Sequence, residues 1–394
     1  MATTAYPLPA RDGLRLQLAG LLRELSQRVE VVLVAVVREG DDLAAAPTVC
    51  STLVTVPAAG GRRRRLRQEL ATVVSRRPVL AEQVTSSGLP EAVREAVARY
   101  RPDVVHLTPG WLAELADVTS CPSVIVPLDA SGPNWQADLA VAANPVRRYL
   151  SRRELSRMLR FEREAYSRND AVVVVTERDA DLLRASGTTV EPSVVTNGVD
   201  ADRWGRPADA GPRDPDLVVF SGAMSYPPNV TAAVFAAREV LPALRERRPG
   251  VRLRVVGRDP APEVRALAGP HVEVTGTVDD VRPHLWEAGA YLCPMRGGSG
   301  VKNKLLEALA AGAPSVVTRV ATDGLDLVSG RDVLVADDPG ELAAAVAGLL
   351  ADPEAAARLG DAGAERARDL SWSRTADGFE AVYRLAIARH GGAS

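Results

Sequence analysis

The residue types best suited to chemistry lie together in one window of the sequence, 294–314, which reads PMRGGSGVKNKLLEALAAGAP. Glycines surround Ser299 and lead directly into a stretch with helical spacing. Glycines let backbone N–H groups approach an anion closely, and a helix N-terminus adds partial positive charge. Lys302 and Lys304 are slightly unfavourable in the first turns of a helix unless an anion neutralises them. The window therefore predicts an anion-binding loop.

Glu307 adds a carboxylate to this window, three residues after Lys304 and on the same side of the predicted helix. A helix N-terminus, two lysines and one acid together suit a nucleotide diphosphate with its ribose. The spacing matches neither a Walker A loop nor a dinucleotide fingerprint, so an alternative stays open. Under that alternative, the window is a glycine-rich turn before an ordinary amphipathic helix.

The composition is that of a folded and nearly neutral protein. Of the 394 residues 46% are hydrophobic, and 48 Lys and Arg against 50 Asp and Glu give a formal net charge of −2. That balance provides no overall basic field, so we expect no nucleic-acid partner. The three cysteines are far apart in the sequence, which excludes a disulfide framework and a cysteine-rich zinc site.

No stretch of the sequence predicts a membrane span or a secretion signal. The uncharged apolar runs fall well short of the roughly 20 residues that a spanning helix needs. The first residues, MATTAYPLPARDG, lack a basic start followed by an apolar stretch. We therefore expect a cytoplasmic protein.

The elements that must position the window follow from an alternation along the whole chain. Apolar, strand-like runs alternate with amphipathic, helix-like stretches, which predicts βαβ units and mainly parallel sheets. The predicted strands are 29–37, 49–56, 104–107, 123–128, 171–176, 193–196, 217–221, 252–256, 271–275, 290–294, 315–318 and 333–335. The predicted helices are 14–25, 61–75, 90–100, 147–167, 229–244, 301–311, 339–350 and 373–388.

A change of composition separates two such series. Residues 201–216 read ADRWGRPADAGPRDPD, which is rich in Pro, Gly and Asp and predicts a linker. We therefore expect an α/β protein with two doubly wound, Rossmann-like domains facing across a cleft. The expected domains are 1–205 and 206–372, followed by a C-terminal helix, 373–394, that packs back toward the first domain. Such sheets bind ligands at the carboxyl ends of their strands.

Residues 304–314, KLLEALAAGAP, resemble the donor-site signature K-x-x-E-A-x-A-x-G-x-P of the retaining family-four glycosyltransferases, which have the GT-B fold. The stretch FSGAMSYPPNVTAA resembles one branch of that family, which reads G-x-M-x-Y-x-P-N. Further stretches resemble the family in the expected order along nearly the whole chain, among them YPLPARDGLRLQL, RPDVVHL, VVTNGVDADRW, VVGRDP and VTGTVDDVRPHL. Several weak motifs in one order are more specific than any of them alone.

The resemblance implies a retaining glycosyltransferase that moves a sugar from a nucleoside-diphosphate sugar to an acceptor hydroxyl. The acceptor would be a glycan, a lipid-linked molecule or a small natural product, bound by domain 1–205, and the donor would be bound by domain 206–372. The family works without a metal, so neither a metal nor another cofactor is expected. Two alternatives stay open: a nucleotide-sugar isomerase or hydrolase of the same fold, and a degenerate nucleotide-binding scaffold subunit.

The resemblance also implies roles for single residues. Glu307 would hold the ribose hydroxyls of the donor, whereas Ser299 stands where the family has a further acid. Lys304 would supply charge to the diphosphate, because the family's usual cations after the first donor-domain strand are missing. The residues expected to bind the donor are Gly13, Arg15, Gly222, Met224, Arg258, Thr277, Val278, Gly298, Ser299, Gly300, Lys302 and Glu307.

Three residues are expected to take part in catalysis: Asp129, Lys304 and His106. Asp129 stands where many relatives carry a histidine beside the reacting sugar. A carboxylate there would orient the acceptor hydroxyl or support positive charge on the sugar. The alternative for Asp129 is a turn residue, and the alternative for His106 is a partly buried histidine at the end of a strand.

Two arginine-rich segments stand apart from the predicted donor site. One is GRRRRLR at 61–67 with Arg76 and Arg77, and the other, at 147–160, interleaves arginines with leucines. Such segments fit contact with anionic lipid headgroups at the inner membrane face, or with a phosphorylated acceptor. The alternative is that both segments are solvated surfaces.

Overall fold

The computed structural model describes residues 1–58, 75, 77–128, 130 and 144–392. The chain divides into two compact units. The first comprises Met1–Thr196 together with Trp372–Ser394, and the second comprises Asn197–Ser371. The division therefore falls before the predicted linker 201–216, and the C-terminal helix belongs to the first unit.

Within the described residues of the first unit, seven parallel strands form one sheet. They are β1 (Ala2–Thr3), β2 (Val32–Val37), β3 (Thr52–Pro57), β4 (Val105–Thr108), β5 (Ser123–Leu128), β6 (Ala171–Val174) and β7 (Pro192–Val194). Their order across the sheet is β3-β2-β1-β4-β5-β6-β7. Successive side chains point to opposite faces, so Val124 and Val126 join one buried cluster and Ile125 joins the other. Helices cover both faces, as a parallel sheet requires.

The helices of the first unit lie between these strands. They are α1 (Gly13–Leu25), α2 (Val79–Thr85), α3 (Leu89–Tyr100), α4 (Pro145–Tyr166) and α5 (Glu177–Ser186), with 3₁₀ segments at Leu43–Thr48 and Gly110–Val118. The C-terminal helix, Trp372–Gly392, packs on the sheet through the buried side chains of Ala376, Phe379 and Val382. Gly20 of α1 makes room for Trp372, since a Cβ there would lie 2.2 Å from the indole ring.

Six parallel strands form the sheet of the second unit. They are β8 (Asp214–Ser221), β9 (Arg252–Val256), β10 (Val272–Gly276), β11 (Ala288–Cys293), β12 (Ser315–Val317) and β13 (Leu334–Val335). Their order across the sheet is β10-β9-β8-β11-β12-β13. The helices are α6 (Ala201–Trp204), α7 (Pro227–Phe235), α8 (Leu241–Arg247), α9 (Pro262–Arg265), α10 (Arg282–Glu287), α11 (Asn303–Ala310), α12 (Pro339–Ala351) and α13 (Pro353–Asp369).

The prediction of an α/β protein with two doubly wound parallel sheets is confirmed. Some of the elements differ from the predicted ones. The predicted linker contains the short helix α6, because the Asp200 carboxylate accepts from the backbone N–H of Arg203 at 2.9 Å, and it also contains the start of β8. The helices α2, α5 and α13 were not predicted from the sequence, and the predicted helix 61–75 lies almost wholly outside the described residues.

Each sheet has one point at which the order of its strands reverses. It lies between β1 and β4 in the first unit and between β8 and β11 in the second. Loops that follow two such strands diverge and leave a crevice at the carboxyl edge, where open α/β sheets bind ligands. Among the helices in the described parts of the chain, none combines the length and apolar character needed to cross a bilayer.

Candidate functional site

The predicted anion-binding loop lies at the carboxyl edge of the second sheet, beside its reversal point. Strand β11 ends at Cys293, and the loop that follows leads into α11. Strand β8, its neighbour, ends at Ser221 and leads through Gly222 toward α7. The elements thus bring the loop 294–302 and the segment after β8 to the same crevice.

Two glycines allow the backbone to come very close at this edge. Gly222 and Gly257 both have φ of +152°, a conformation that side chains rarely permit. A Cβ on Gly257 would lie 1.7 Å from the carbonyl oxygen of Gly222. A Cβ on Gly222 would lie 2.8 Å from Nδ2 of Asn229 and 3.2 Å from Cε of Lys304. The space beside Lys304 therefore depends on glycine at both positions.

Lys304 lies at the centre of this edge with its ammonium held in place. Its Nζ donates a hydrogen bond to Oδ1 of Asn229 and lies 5.3 Å from the centre of the Phe220 ring. Nδ2 of Asn229 donates to the carbonyl oxygen of Ala223 at 2.9 Å, which fixes the orientation of the amide. Because this partner is a neutral oxygen, the contact orients the positive charge without cancelling it. Burial lowers the pKa of Lys304 from 10.5 to about 8.

Glu307 lies one turn further along α11. Burial raises the pKa of its carboxyl from 4.5 to about 7, although the charges of Lys304 and Arg203 act in the opposite direction. The side chain remains partly exposed. Glu307 can therefore accept a hydrogen bond from a bound ligand in its ionised form near neutral pH.

The glycine loop folds around the ammonium of Lys302. Nζ of Lys302 donates to three successive carbonyl oxygens: those of Gly298 at 3.1 Å, Ser299 at 3.1 Å and Gly300 at 2.7 Å. Gly298 and Gly300 have φ of +99° and +66°, which other residues rarely adopt. Lys302 is only 6% exposed, so its ammonium faces the loop backbone. This placement differs from the expected direct contact with the donor.

The remaining predicted donor residues of the second unit take several positions. Met224 is fully buried, and its backbone links two loops by donating to Arg258 O at 2.9 Å and accepting from Ala261 N at 3.0 Å. Its side chain is therefore a packing residue. The Arg258 guanidinium pairs with Asp259 at 3.1 Å on the surface. Thr277 and Val278 follow the carboxyl end of β10.

Two of the predicted residues of the first unit, Gly13 and Arg15, lie at the carboxyl edge of its own sheet. Gly13 begins α1, which follows β1, and Asp12 caps it by accepting from the backbone N–H of Arg15 at 3.0 Å. The Arg15 guanidinium pairs with Asp41 at 2.7 Å, so its charge is already neutralised by a carboxylate. Asp129 lies outside the described residues.

His106 lies near the amino end of β4, away from the edge at which ligands are expected. It is 4% exposed, and its Nδ1 lies 2.8 Å from the hydroxyl of Tyr383 in the C-terminal helix. The Phe379 ring stacks on it at a centroid distance of 5.4 Å. Burial lowers the pKa of His106 to about 3 and keeps the ring neutral. The placement supports the alternative of a buried histidine over the expected role in catalysis.

The second arginine-rich segment lies on α4, where Arg148, Arg152 and Arg160 are exposed and Arg157 pairs with Glu154 at 3.3 Å. Tyr149 is 65% exposed and Leu150 is 54% exposed near the start of that helix. An open cavity of about 580 Å³ lies along the helix, lined by Ser75, Tyr149, Arg152, Arg153, Ser156, Arg157 and Arg160. The segment 61–67 and Arg76 lie outside the described residues, whereas Arg77 pairs with Glu114 at 3.0 Å.

Asn229 is one of two site residues that the assignment from the sequence did not include. It stands in the motif G-x-M-x-Y-x-P-N, and that motif was the available signal. Gly257 is also missing from the assignment, since only its contact with Gly222 shows why a glycine stands there. Within the described parts of the chain, no three His, Cys, Asp or Glu side chains are grouped as metal ligands would be.

Two family models match the chain, and together they cover most of both units. The model described as "Glycosyl transferase 4-like domain" matches residues 12–198. The model described as "Glycosyl transferases group 1" matches residues 215–352, which contain the whole site at the edge of the second sheet.

Curated relatives resemble about half of the chain. A phosphatidyl-myo-inositol mannosyltransferase of Mycolicibacterium smegmatis is 33% identical over 202 residues, which are 48% of this chain and 50% of that protein. A D-inositol 3-phosphate glycosyltransferase of Catenulispora acidiphila is 29% identical over 245 residues, 55% of this chain and 56% of that protein. The chain thus spans about half the length of the curated relatives that it matches.

Solved structures resemble the chain over nearly its full length. The sucrose-phosphate synthase of Thermosynechococcus elongatus has a TM-score of 0.74 at 18% identity and covers 98% of both chains. The Anabaena protein HepE, solved in complex with UDP, has a TM-score of 0.69 at 12% identity and covers 97% of both chains. These likenesses show that the fold is GT-B.

Proposed function

We propose that the chain, of which residues 12–198 and 215–352 match glycosyltransferase family models, transfers a sugar from a nucleoside diphosphate to an acceptor hydroxyl with retention of the anomeric configuration. One observation carries this proposal. The ammonium of Lys304, oriented by Asn229, lies at the carboxyl edge of the second sheet, next to the glycine loop at the start of α11. An oriented cation, backbone N–H groups and a helix N-terminus are the features that bind a diphosphate.

The proposed reaction requires that the leaving group, a nucleoside diphosphate, be stabilised. The bond between the anomeric carbon and the diphosphate oxygen breaks, the bond to the acceptor oxygen forms, and the departing phosphate oxygen takes the acceptor's proton. Negative charge therefore develops on the diphosphate. Lys304 and the N-terminus of α11 are preorganised to stabilise that charge, and preorganised charge is usually the largest contribution to catalysis. A same-face reaction of this kind needs no strong protein base.

Glu307 provides the proposed contact with the donor ribose. Its carboxylate lies on the same side of α11 as Lys304, three residues later, so one ligand can reach both. A carboxylate can accept hydrogen bonds from two vicinal hydroxyl groups. The solved Anabaena structures contain UDP in one case and UDP-glucose in another, which supports a nucleoside-diphosphate sugar as the donor class.

We propose that the first unit takes an acceptor that bears a phosphate group, along α4. The cavity beside α4 is lined by four arginines, and Arg152 and Arg160 are exposed. Guanidinium groups bind phosphate in pairs of hydrogen bonds. The names of two relatives specify inositols that carry a phosphate, one soluble and one lipid-linked, which supports this chemistry. No metal is assigned to the reaction.

The proposal is tested with purified protein and a panel of nucleoside diphosphates and their sugars. A thermal-shift screen identifies the donor, and transfer is then measured with sugars, inositol phosphate and phosphatidylinositol vesicles as acceptors. The expected product keeps the donor's anomeric configuration, which NMR reads directly. Donor consumption without any acceptor would support the isomerase or hydrolase alternative. Donor binding without turnover under every acceptor would support the scaffold alternative.

A further inference from the structure

The two lysines of this chain stand at the same place. The sequence has 48 Lys and Arg residues, and only Lys302 and Lys304 are lysines. Elsewhere in the chain, arginine side chains bind backbone carbonyl groups. Arg206, for example, donates hydrogen bonds to the carbonyl oxygens of Trp286, Ala210 and Gly211 at the amino edge of the second sheet. Position 302 therefore retains an ammonium in a chain that uses guanidinium for similar tasks elsewhere.

The geometry at Lys302 explains why an ammonium is needed. Its Nζ lies 2.7–3.1 Å from three carbonyl oxygens that belong to successive residues, 298–300. An ammonium carries three donors on one small atom, and it can satisfy three acceptors that converge on a point. The donors of a guanidinium are spread over three nitrogens in one plane and point outward as a fork, so an ammonium suits acceptors that converge on one point better than a guanidinium does.

We infer that Lys302 is a positioning residue of the donor site, whose ammonium turns the carbonyl groups of residues 298–300 inward and the N–H groups of Ser299, Gly300 and Val301 outward as a preformed cradle for the diphosphate. A trans peptide is planar, so its C=O and N–H groups point in opposite directions. When three successive carbonyls face one ammonium, the three N–H groups that follow them face away from it. Successive N–H groups on one side of a loop form an anion-binding concavity.

Without the ammonium, this loop conformation would not be stable. Three carbonyl oxygens would face one another with no donor between them, and at least one peptide would turn away. Each turned peptide withdraws one N–H group from the anion. Lys302 thus acts through the backbone, whereas Lys304 acts on the ligand directly. The inference rests on the proposed function for the identity of the anion.

The experiment compares the affinity for a nucleoside diphosphate with that for the nucleoside alone, by calorimetry on the full chain. The variants are Lys302→Met, which removes the ammonium, and Lys302→Arg, which keeps the charge but changes the donor geometry. Arg206→Met is the matched control, because it also removes a cation that holds three carbonyls in the second unit. We expect both Lys302 variants to lose about tenfold or more of the affinity gained from the diphosphate, since fewer backbone N–H groups then face the anion. Nucleoside affinity should stay unchanged in all variants.

Each outcome decides the inference. If Lys302→Arg keeps the diphosphate preference of the parent, position 302 supplies only charge and the positioning role is wrong. If Lys302→Met keeps the preference for the diphosphate over the nucleoside, the cradle does not depend on this side chain and the inference is wrong. Should Lys302→Met fail to fold, Lys302→Arg and Lys302→Gln carry the same comparison. If the unaltered protein does not prefer the diphosphate over the nucleoside, the proposed function fails, and that result is distinct from a failure at Lys302.

Discussion

The amide oxygen of Asn229 accepts a hydrogen bond from the ammonium of Lys304, although the two residues are 75 positions apart in the chain. The other end of the amide donates to Ala223 O at 2.9 Å, so the oxygen is the end that faces the lysine. This relationship joins the segment after β8 to the start of α11. It holds the charge at the crevice before any ligand arrives, which lowers the reorganisation that the reaction requires.

Removal of the Lys304 ammonium should mainly affect turnover. In Lys304→Met, kcat should fall by a factor of about 10²–10³, the loss typical when one preorganised donor to a developing negative charge is removed. Lys304→Arg should not restore the rate, because the wider, planar guanidinium cannot take the place of the ammonium between Asn229 and the Phe220 ring. Initial-rate kinetics measure both variants beside Arg206→Met. A near-normal kcat in Lys304→Met would remove this residue from the mechanism.

Asn229→Asp should weaken donor binding although it keeps the shape of the side chain. A carboxylate at 229 would pair with Lys304, cancel its charge toward the ligand and raise its pKa. We expect about a tenfold loss of affinity for the nucleoside diphosphate, the equivalent of about 1.4 kcal/mol. Calorimetry with the diphosphate measures this loss, and Asn229→Leu separates loss of orientation from loss of charge. Equal affinities for the parent and the Asp variant would contradict the proposed role of this contact.

The pH dependence of kcat/KM for the donor should be bell-shaped, with a maximum between about pH 7 and 8. Glu307 gains its charge as the pH rises through its pKa of about 7, which favours ribose binding. Lys304 loses its charge as the pH rises through about 8, which weakens diphosphate binding. Because Glu307 and Lys304 interact, the pKa values read from the two limbs of the pH profile describe the pair and not either residue alone. Glu307→Gln should remove the acidic limb and leave the alkaline one. A profile that is flat from pH 6 to 9 would contradict this assignment.

The raised pKa of Glu307 should also make the unfolding free energy depend on pH. The pKa of the Glu307 carboxyl is about 7 in the folded protein, against an ordinary value of 4.5 for glutamate. The folded state therefore binds more protons than the unfolded state between these values, and stability falls as the pH rises through that window. Relative to the parent, Glu307→Gln should gain about 1–2 kcal/mol in unfolding free energy from pH 4.5 to pH 8, because partial exposure reduces the full effect. Urea unfolding at the two pH values measures it.

Charge reversal on α4 should lower kcat/KM for the acceptor without changing the affinity for the donor nucleotide. In the double variant Arg152→Glu and Arg160→Glu, kcat/KM for a phosphate-bearing acceptor should fall by a factor of about ten or more, since charged hydrogen bonds to phosphate are lost. Affinity for the nucleoside diphosphate should not change. Arg94→Glu on α3 is the control, as it alters an exposed arginine of the same unit. Inositol phosphate and lipid vesicles as separate acceptors distinguish a soluble from a lipid-linked phosphate.

His106 should prove to be a structural residue. Replacement of its ring by Phe in His106→Phe leaves the buried Tyr383 hydroxyl without this partner, which costs about 1–3 kcal/mol of stability. Tyr383→Phe removes the other half of the pair, and the double variant should recover part of the loss. Turnover per folded molecule should stay within a factor of about two, because β4 places His106 near the amino edge of its sheet. A large loss of kcat without a loss of stability would reverse this assignment.

The alternation of apolar and amphipathic stretches was sufficient to predict the fold class, and the reason is local. The strand 123–128 was predicted at its observed bounds, because its run of apolar residues satisfies both faces of a buried parallel strand. The glycines around Ser299 likewise predicted a loop before a helix. Helix α13 was not predicted, although Asp352 caps it and Ala356, Leu359 and Ala367 give it a buried face. The start of β8 at Asp214 was not predicted either, because a Pro-rich stretch pairs there with Ala288 of β11.

Which residues stand near the site follows from the sequence alone, because Lys302, Lys304 and Glu307 lie on one loop and the helix that follows it. What each of them does depends on the folded chain. Spacing along a helix says which side a residue takes, but the direction of a charge depends on acceptors brought by other segments. Asn229 arrives from α7 and turns Lys304 toward the crevice, whereas the loop's own carbonyls turn Lys302 away from it.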